Sequence, residues 1–295
     1  NERTGGLLGT LNNNGFYFDS GPRALVNSGI VLPILKELGI TWEICKNKIS
    51  IGIEDRLFQV SSISDLDEYQ RILSDFYPGN REDIHNILAA MRELSKHTRV
   101  IYEFDNPYFG DQFSNKEYVI RRLLPWTLKF LRALRKFNQF NMPMEDYLHQ
   151  LTNNQSLIDI LIQHFFRNTP TYFALGYFHV YQDYFYPKGG TGVLKDLLVE
   201  KVNEWGGQIE LNKKVISVVP AESKVIDSEG IEYSYDHLVW AADLKTLYQS
   251  IDPTGLDTTI TGKLEHEKVR ILSSKGAESV FIMNIGVDRP PSYFK

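Results

Sequence analysis

The stretch that decides the fold reads RTGG at residues 3–6 and GFYFDSGP at residues 15–22. Two adjacent glycines, Gly5 and Gly6, let the backbone approach a bulky anionic ligand because no Cβ stands in the way. Arg3 beside them can meet phosphate oxygens through two parallel hydrogen bonds. The same residues also suit two tight turns on either side of a β-hairpin. The local chemistry leaves both interpretations open.

A second glycine-rich segment begins with YPKGG at residues 186–190. The sequence predicts that it continues as a loop, a helix, a glycine pair and two short strands: residues 187–192, 193–205, 206–207, 208–211 and 215–219. Gly190-x-Gly192 nearly reproduces a dinucleotide-binding fingerprint, but Lys195 stands where the third glycine is required. We interpret this part as the turn before the helix.

Taken in this order, the two segments resemble the amine oxidase and phytoene desaturase superfamily of flavoproteins. The resemblance is to its phytoene desaturase, carotenoid isomerase and retinol saturase-like enzymes in particular. It assigns six residues to an FAD site: Arg3, Gly5, Gly6, Gly21, Pro22 and Val215. In that family the first three positions lie along the pyrophosphate and flavin, and the next two lie near the isoalloxazine. The last contacts the adenine end through its strand backbone.

Parts of that family's nucleotide site have no counterpart in this sequence. A Gly-x-Gly-x-x-Gly motif is absent. The family's ribose-binding acid would precede Asn1, so Glu2 is not expected to take its place, and the family's last FAD segment would follow Lys295. We therefore expect a chain cut at both ends that binds FAD weakly or not at all and is inactive alone. Titration with FAD, followed by flavin absorbance and fluorescence, tests this expectation.

The predicted fold class is α/β, with an incomplete FAD-binding domain of the two-dinucleotide-binding type. A substrate domain of mixed sheet with a helical insertion accompanies it. The resemblance implies FAD-binding segments at 1–43 and 186–245 and substrate-domain segments at 44–185 and 246–295, and the composition of the chain also changes at Tyr186. Further elements are predicted along the chain: hairpins at 10–18 and around 227–230, two strands within 44–60, helices at 28–38, 65–76, 80–94, 118–140, 144–151 and 156–166, a buried parallel strand at 238–242 and a last strand at 279–287.

Residues 172–186 contain eight aromatic side chains. Such rings suit a channel for a long conjugated hydrocarbon, and they suit ordinary core packing equally well. We name Tyr177, Tyr181 and Tyr184 as substrate-binding candidates, whereas His179 is predicted to be packed rather than catalytic. The resemblance implies hydride transfer at the flavin N5 to or from a carbon–carbon unit of a polyene. No catalytic side chain is identified.

Residues 116–140 carry seven basic side chains against Glu117 alone, and apolar residues alternate with them. A basic amphipathic helix with a tryptophan is typical of a membrane-surface element. A solvated face of a helix packed on its own domain is the alternative. Reversing the charge of Arg132 and Arg135 distinguishes the membrane-surface element from the solvated helix face.

Composition limits the remaining possibilities. A net charge of -5 argues against nucleic acid as a partner. Cys45 is the single cysteine, so no intrachain disulfide forms; a reducing, cytoplasmic location and a buried, apolar role for its side chain are expected. The other histidines show no ligand spacing, and no metal site is predicted. An amine or protoporphyrinogen oxidase relative and a non-catalytic isoprenoid- or lipid-binding module remain as alternatives.

Overall fold

The computed structural model describes residues 1–102, 104, 106, 108, 112–276 and 280–294. These residues form two compact units, Leu7–Lys201 and Asn1–Gly6 together with Val202–Lys295. We call them the large unit and the small unit. Helices and short strand pairs occur in both, and the α/β class is as predicted. The domain boundaries drawn from the sequence stay a prediction.

The described strands are β1 Thr10–Asn13, β2 Phe16–Asp19, β3 Leu25–Val26, β4 Ile44–Lys46, β5 Ile49–Ile53, β6 Arg56–Val60, β7 Tyr184–Pro187, β8 Val215–Val219, β9 Lys224–Asp227 and β10 Glu232–Ser234. The described α-helices are α1 Val31–Glu37, α2 Leu66–Phe76, α3 Arg81–Tyr102, α4 Lys116–Tyr118, α5 Leu124–Gln139, α6 Met144–His149, α7 Gln155–Ile162, α8 Thr171–Tyr181, α9 Gly192–Glu204, α10 Leu244–Ser250 and α11 Thr258–Ser273. Every pair of these strands is antiparallel, in the sheets β1-β2, β3-β7-β4, β5-β6 and β8-β9-β10.

The predicted hairpin near the start of the chain is confirmed. β1 and β2 pair with Asn13 opposite Phe16, and Asn14 and Gly15 form the two-residue turn. Both turn residues have positive φ, 52° and 83°. A type I′ turn requires this backbone, which is why an Asn-Gly pair is a strong hairpin signal.

The large unit is built around α3. Ile84, Ile87, Leu88 and Leu94 recur at helical spacing on one face of α3, and none of their surface is exposed. This face belongs to one apolar core shared with β5, β6, α2 and α5–α8. The core covers most of the described strands and helices between residues 49 and 181.

The sequence does not predict α8, because the apolar residues of this helix surround it instead of marking one face. It packs directly against α3 through a glycine. A Cβ built at Gly176 would lie 2.2 Å from Thr98 Oγ1. The absence of a side chain at this position therefore sets how closely the two helices approach.

Two predictions in the large unit need correction. The stretch 44–60 forms three strands instead of two, since β4 pairs with β7 while β5 and β6 pair with each other around Glu54-Asp55. Cys45 is exposed, not buried, as are the other residues of the short strand β4.

The helix predicted over 118–140 is irregular near its start. It begins with α4 and a π-helical turn at Val119–Leu123 before continuing as α5. This turn ends two residues before Pro125, which has no backbone N–H to donate to the helix.

The small unit contains the sheet β8-β9-β10 with α10 and α11, and the hairpin predicted around residues 227–230 is confirmed. The strand predictions at 208–211 and 238–242 are wrong, and so is the one at 279–287 for the described residues 280–287. Val239 and Phe281 are each 86% exposed. A buried strand needs hydrogen-bonded neighbours and cover on both faces, and the described residues supply neither.

No helix in the described part of the chain is both long enough and apolar enough to cross a membrane.

Candidate functional site

The N-terminal segment with Arg3, Gly5 and Gly6 lies in the small unit, as does Val215. The backbone N–H of Asn212 donates to the carbonyl of Asn1 at 2.9 Å, which ties this segment to the chain just before β8. Gly5 and Gly6 have φ of 88° and 54°. Four of the six proposed FAD residues thus belong to one unit, and their role stays a prediction.

The glycine pair fits a bulky anionic ligand in one respect. No heavy atom of the described chain lies within 4 Å of a Cβ built at Gly6, so its left-handed backbone faces open space. Arg3 is also exposed. Backbone N–H groups that are open to solvent beside a guanidinium can hold phosphate oxygens.

Gly21 and Pro22 lie in the large unit, immediately after β2. A Cβ at Gly21 would lie 2.6 Å from the carbonyl oxygen of Leu7, so the close approach of two backbone segments already requires glycine here. The carbonyl of Pro22 accepts a hydrogen bond from the Thr191 hydroxyl at 3.0 Å. This contact joins the first glycine-rich segment to the second.

Asp19, at the end of β2, is the centre of that junction. Its carboxylate accepts a hydrogen bond from the Tyr186 hydroxyl at 2.5 Å. It also accepts a bond from the backbone N–H of Thr191 at 2.9 Å, and it shares the single Thr191 hydroxyl proton with the Pro22 carbonyl, each acceptor lying 3.0 Å from the hydroxyl oxygen. Burial, and then the hydrogen bond to Asp19, raises the pKa of Tyr186 to about 12. The sequence did not indicate Thr191, because its partners lie about 170 residues away along the chain.

The three tyrosines proposed to bind substrate form one cluster. Rings of Tyr177, Tyr181 and Tyr184 meet edge to face, with centroids 5.2–6.3 Å apart. The hydroxyls of Tyr177 and Tyr184 are hydrogen-bonded to each other. Burial, together with the neighbouring hydroxyls, raises the pKa of Tyr181 and Tyr184 well above the usual range. The phenols of Tyr181 and Tyr184 are therefore neutral at ordinary pH.

Beside this cluster the large unit encloses a cavity of about 460 Å³. Tyr181 and Tyr184 line it, together with the strand β5 and apolar residues of α3, α7 and α8. The polar lining residues, apart from tyrosines, are Ser50, Gln163 and His164, and no described lining residue is an Asp, Glu, Lys or Arg. Burial lowers the pKa of His164, which keeps that ring neutral near pH 7. The cavity suits an uncharged, apolar ligand.

Of the cavity walls, the sequence indicated only the aromatic part. The residues of β5 and α7 were missed because apolar residues at core spacing look the same whether they border a cavity or a packed interior. The aromatic density of residues 172–186 was the one signal available.

Residues 1–293 match the family model for flavin containing amine oxidoreductases. The chain belongs to this family. FAD is the cofactor that membership implies. Arg3 is exposed and the Cβ position of Gly6 is open, and the assignment of Arg3, Gly5 and Gly6 to the FAD pyrophosphate stays a prediction. The family match is broader than the carotenoid desaturases and isomerases, so that finer assignment stays a prediction.

Two solved structures match the chain, and the first of them is similar in fold. The PF1083 protein from Pyrococcus furiosus matches with a TM-score of 0.55 and 15% identity over 88% of this chain and 56% of its own. A reduced UDP-galactopyranose mutase matches with a TM-score of 0.43 and 15% identity over 92% of this chain and 53% of its own. The chain thus spans about half the length of these structures. No protein of curated function matches the chain significantly.

Among the described residues, no three His, Cys, Asp or Glu side chains converge in a way that could hold a metal ion.

Proposed function

We propose that the protein is a flavin-dependent oxidoreductase that acts on a long, apolar substrate of the isoprenoid or carotenoid class. The observation that carries this proposal is the 460 Å³ cavity, which has apolar and aromatic walls and no permanently charged lining residue among those described. Burial of a hydrocarbon contributes roughly 25 cal/mol per Å² of apolar surface, so such walls bind a polyene without any ionic contact.

FAD, when bound, supplies the hydride acceptor or donor. The residues of the chain have simpler tasks in this proposal. Tyr181 and Tyr184 line the cavity and orient the flat conjugated chain by stacking and edge contacts, while Tyr177 contacts both of these rings from outside the cavity lining. The β5–β6 hairpin and α8 exclude water from the conjugated chain. The phenols of Tyr181 and Tyr184 are neutral, which is appropriate for a reaction at a carbon–carbon unit.

The family match favours a second candidate, oxidation of an amine. An amine substrate is a cation in water, and a binding site for it needs a carboxylate or an aromatic cage. The aromatic cluster could provide the cage, whereas the described cavity walls lack the carboxylate. A protoporphyrinogen oxidase and a non-catalytic isoprenoid-binding module are the further alternatives. They are separated by the assays below.

Binding of a soluble linear polyene, followed by quenching of protein fluorescence, tests the cavity assignment. We expect saturable binding that falls by about tenfold in Ala174→Leu, because the added side chain occupies the cavity. Ala90→Leu is the matched control, since Ala90 packs against the same core without lining the cavity. Equal polyene affinity in both folded variants would contradict the assignment.

Turnover is tested with the FAD-loaded protein on a polyene, an amine and a protoporphyrinogen in parallel. Spectral change of the polyene alone supports the proposal. Turnover of the amine or the porphyrinogen replaces it with the corresponding alternative. Polyene binding without turnover, and without any effect of flavin, identifies a binding module.

We also propose that the π-helical turn and α5 contact a membrane surface. Ile120, Leu124, Leu128 and Leu131 follow one another at spacings of four, four and three residues, and each is about half exposed or more. Exposed basic residues, including Arg132 and Arg135, accompany this apolar stripe. An apolar stripe with cations beside it suits an anionic lipid surface.

Co-sedimentation with vesicles that contain anionic lipid tests the membrane proposal. We expect Arg132→Glu with Arg135→Glu to abolish most of the binding. Charge reversal at Arg56, which is exposed on β6, is the control and should change little. Vesicle binding that the double variant retains in full would show that the basic face is an ordinary solvated surface.

A further inference from the structure

A second cavity of the large unit lies beside the apolar cavity. Its volume is about 380 Å³. The two cavities share three lining residues, which are Met144, Gln163 and Phe165. A side chain that lines two cavities lies between them. At these positions the wall that separates the cavities is therefore no thicker than a single side chain.

The segment that follows α7 provides much of this wall. His164 lines the apolar cavity and not the second one, whereas Phe166 lines the second cavity and not the first. Phe165 lies between these two residues in the chain and lines both cavities. Neighbouring side chains thus face opposite cavities, and the ring of Phe165 divides them.

The wall is held in a defined position by contacts within the large unit. Met144 is 4% exposed, and its backbone N–H donates to the carbonyl of Thr169 at 2.9 Å. The ring of Phe165 meets the ring of Tyr177 edge to face, with centroids 5.7 Å apart. The backbone N–H of Phe165 also donates to the carbonyl of Ile162 at 2.9 Å. Packed side chains of this kind keep one arrangement, so the apolar cavity has a fixed boundary here.

The second cavity offers apolar surface only in part. Ile162 and Phe166 extend the apolar lining beyond the wall. Its other lining includes Glu145 and Arg167, whereas no described residue that lines the first cavity carries a permanent charge. The wall therefore keeps the apolar cavity apart from charged groups, and its removal would give a hydrocarbon further apolar surface to cover.

We propose that Phe165, together with Met144, sets the length of the apolar chain that the protein accepts. This inference rests on the proposed function, because it takes the apolar cavity as the substrate site. A chain that reaches the wall has no more apolar surface to cover in that direction, so further methylenes remain in water and add nothing to the affinity. The substrate class is thereby narrowed to apolar chains whose length matches a cavity of about 460 Å³.

Calorimetric titration of the full chain with n-alkanols of increasing length tests this inference. We expect the affinity of the wild-type chain to rise roughly fourfold with each methylene until the cavity is filled, and then to stay constant. In Phe165→Ala the rise should continue to longer alkanols. An alkanol about two methylenes beyond the wild-type limit should bind roughly tenfold more tightly to Phe165→Ala than to the wild type.

Phe166→Ala is the matched control, because it removes the same ring from the next residue, which lines the second cavity and not the first. It should leave the limit at the wild-type length. Gln163→Ala opens the same wall at an exposed side chain, so it leaves the core intact. It should move the limit in the same direction as Phe165→Ala by a smaller amount, and circular dichroism verifies that each variant is folded.

The outcomes separate this inference from the proposed function. If folded Phe165→Ala and Gln163→Ala keep the wild-type limit, the inference is overturned while the apolar cavity remains the substrate site. An equal extension of the limit in Phe166→Ala also overturns the role of Phe165. If the wild-type chain binds no alkanol saturably, both the inference and the proposed function are overturned.

Discussion

The large and small units are stabilised in different ways. The large unit holds nearly all of the buried apolar residues among those described, whereas the small unit contributes Val218, Val219 and Ile271. The small unit nevertheless also contains strands and helices. Regular secondary structure in this chain therefore does not require the same amount of apolar burial in both units.

Hydrogen bonds around carboxylates organise the small unit. Asp227, which is fully buried, accepts bonds from the backbone N–H groups of Glu229 and Ile231 at 2.9 and 3.0 Å and from the Tyr233 hydroxyl at 3.0 Å. Asp243 and Asp257 cap the starts of α10 and α11 through their side chains. These contacts span few residues, so they form without a large core.

Truncation of the core helix should have the largest effect. Leu88→Ala in α3 removes a fully buried side chain and should lower the free energy of unfolding by about 2–5 kcal/mol. Urea denaturation followed by circular dichroism measures this loss. Leu57→Ala is the control, because that side chain is 71% exposed and should change stability by less than about 0.5 kcal/mol. If Val218→Ala in the small unit costs as much as Leu88→Ala, the contrast between the units is wrong.

An intermediate effect is expected at the junction of the two glycine-rich segments. Tyr186→Phe removes the hydrogen bond to Asp19 and should cost about 1.5–3 kcal/mol below pH 10. The pKa of Tyr186 is about 12 in the folded chain and about 10 in the unfolded chain, so the folded state binds the proton more tightly. This contribution is complete below pH 10 and is lost as the pH rises toward 12.

Denaturation at several pH values between 9 and about 12 measures this second effect. The wild-type chain should lose stability across the window, and part of that loss should disappear in Tyr186→Phe. Tyr17→Phe, an exposed tyrosine of β2, is the control and should leave the profile as it is. If the free energy of unfolding falls with pH as steeply in Tyr186→Phe as in the wild type, the hydrogen bond between Tyr186 and Asp19 does not stabilise the fold.

The smallest effect on the whole chain is expected from Asp227→Asn. Burial raises the pKa of Asp227, but its hydrogen bonds and Lys213 lower it more, and the net pKa is below the usual range. The stability that Asp227 contributes is therefore present above about pH 4 and lost as the pH falls through the lowered pKa.

Amide hydrogen exchange measures the effect of Asp227→Asn. It should show faster exchange in β9 and β10 and none of this change in α3. Asp236→Asn, an exposed neighbour, is the control, and faster exchange throughout the large unit would contradict the separation of the two.

Most of the fold of the large unit could be predicted because its signals are local. The Asn-Gly turn predicted the first hairpin, and the helical spacing of apolar residues predicted α2 and α3. α8 and the strand pairing of β4 could not be predicted in this way. An aromatic segment without a polar face carries no period, and a strand of three residues has no preference for one partner over another.

Parts of the candidate site could be predicted only where the type of a residue itself indicates a chemical role. Arg3, the paired glycines and the tyrosine cluster could be named from the sequence, and the family match covers nearly the whole chain. The walls of the apolar cavity could not be named. They depend on which side chains meet across the core, and that information is distributed among distant segments.

The sequence by itself determined the family, the first hairpin, the main amphipathic helices and the sign of the charge on α5. The tertiary structure was needed to show that Leu238–Ala242 forms no strand, that Asp19 contacts Tyr186 and Thr191, and where cavities remain between the helices. The physical reason is that turn geometry and periodicity act over a few residues. Burial and hydrogen bonding between segments are decided by how distant parts of the chain pack together.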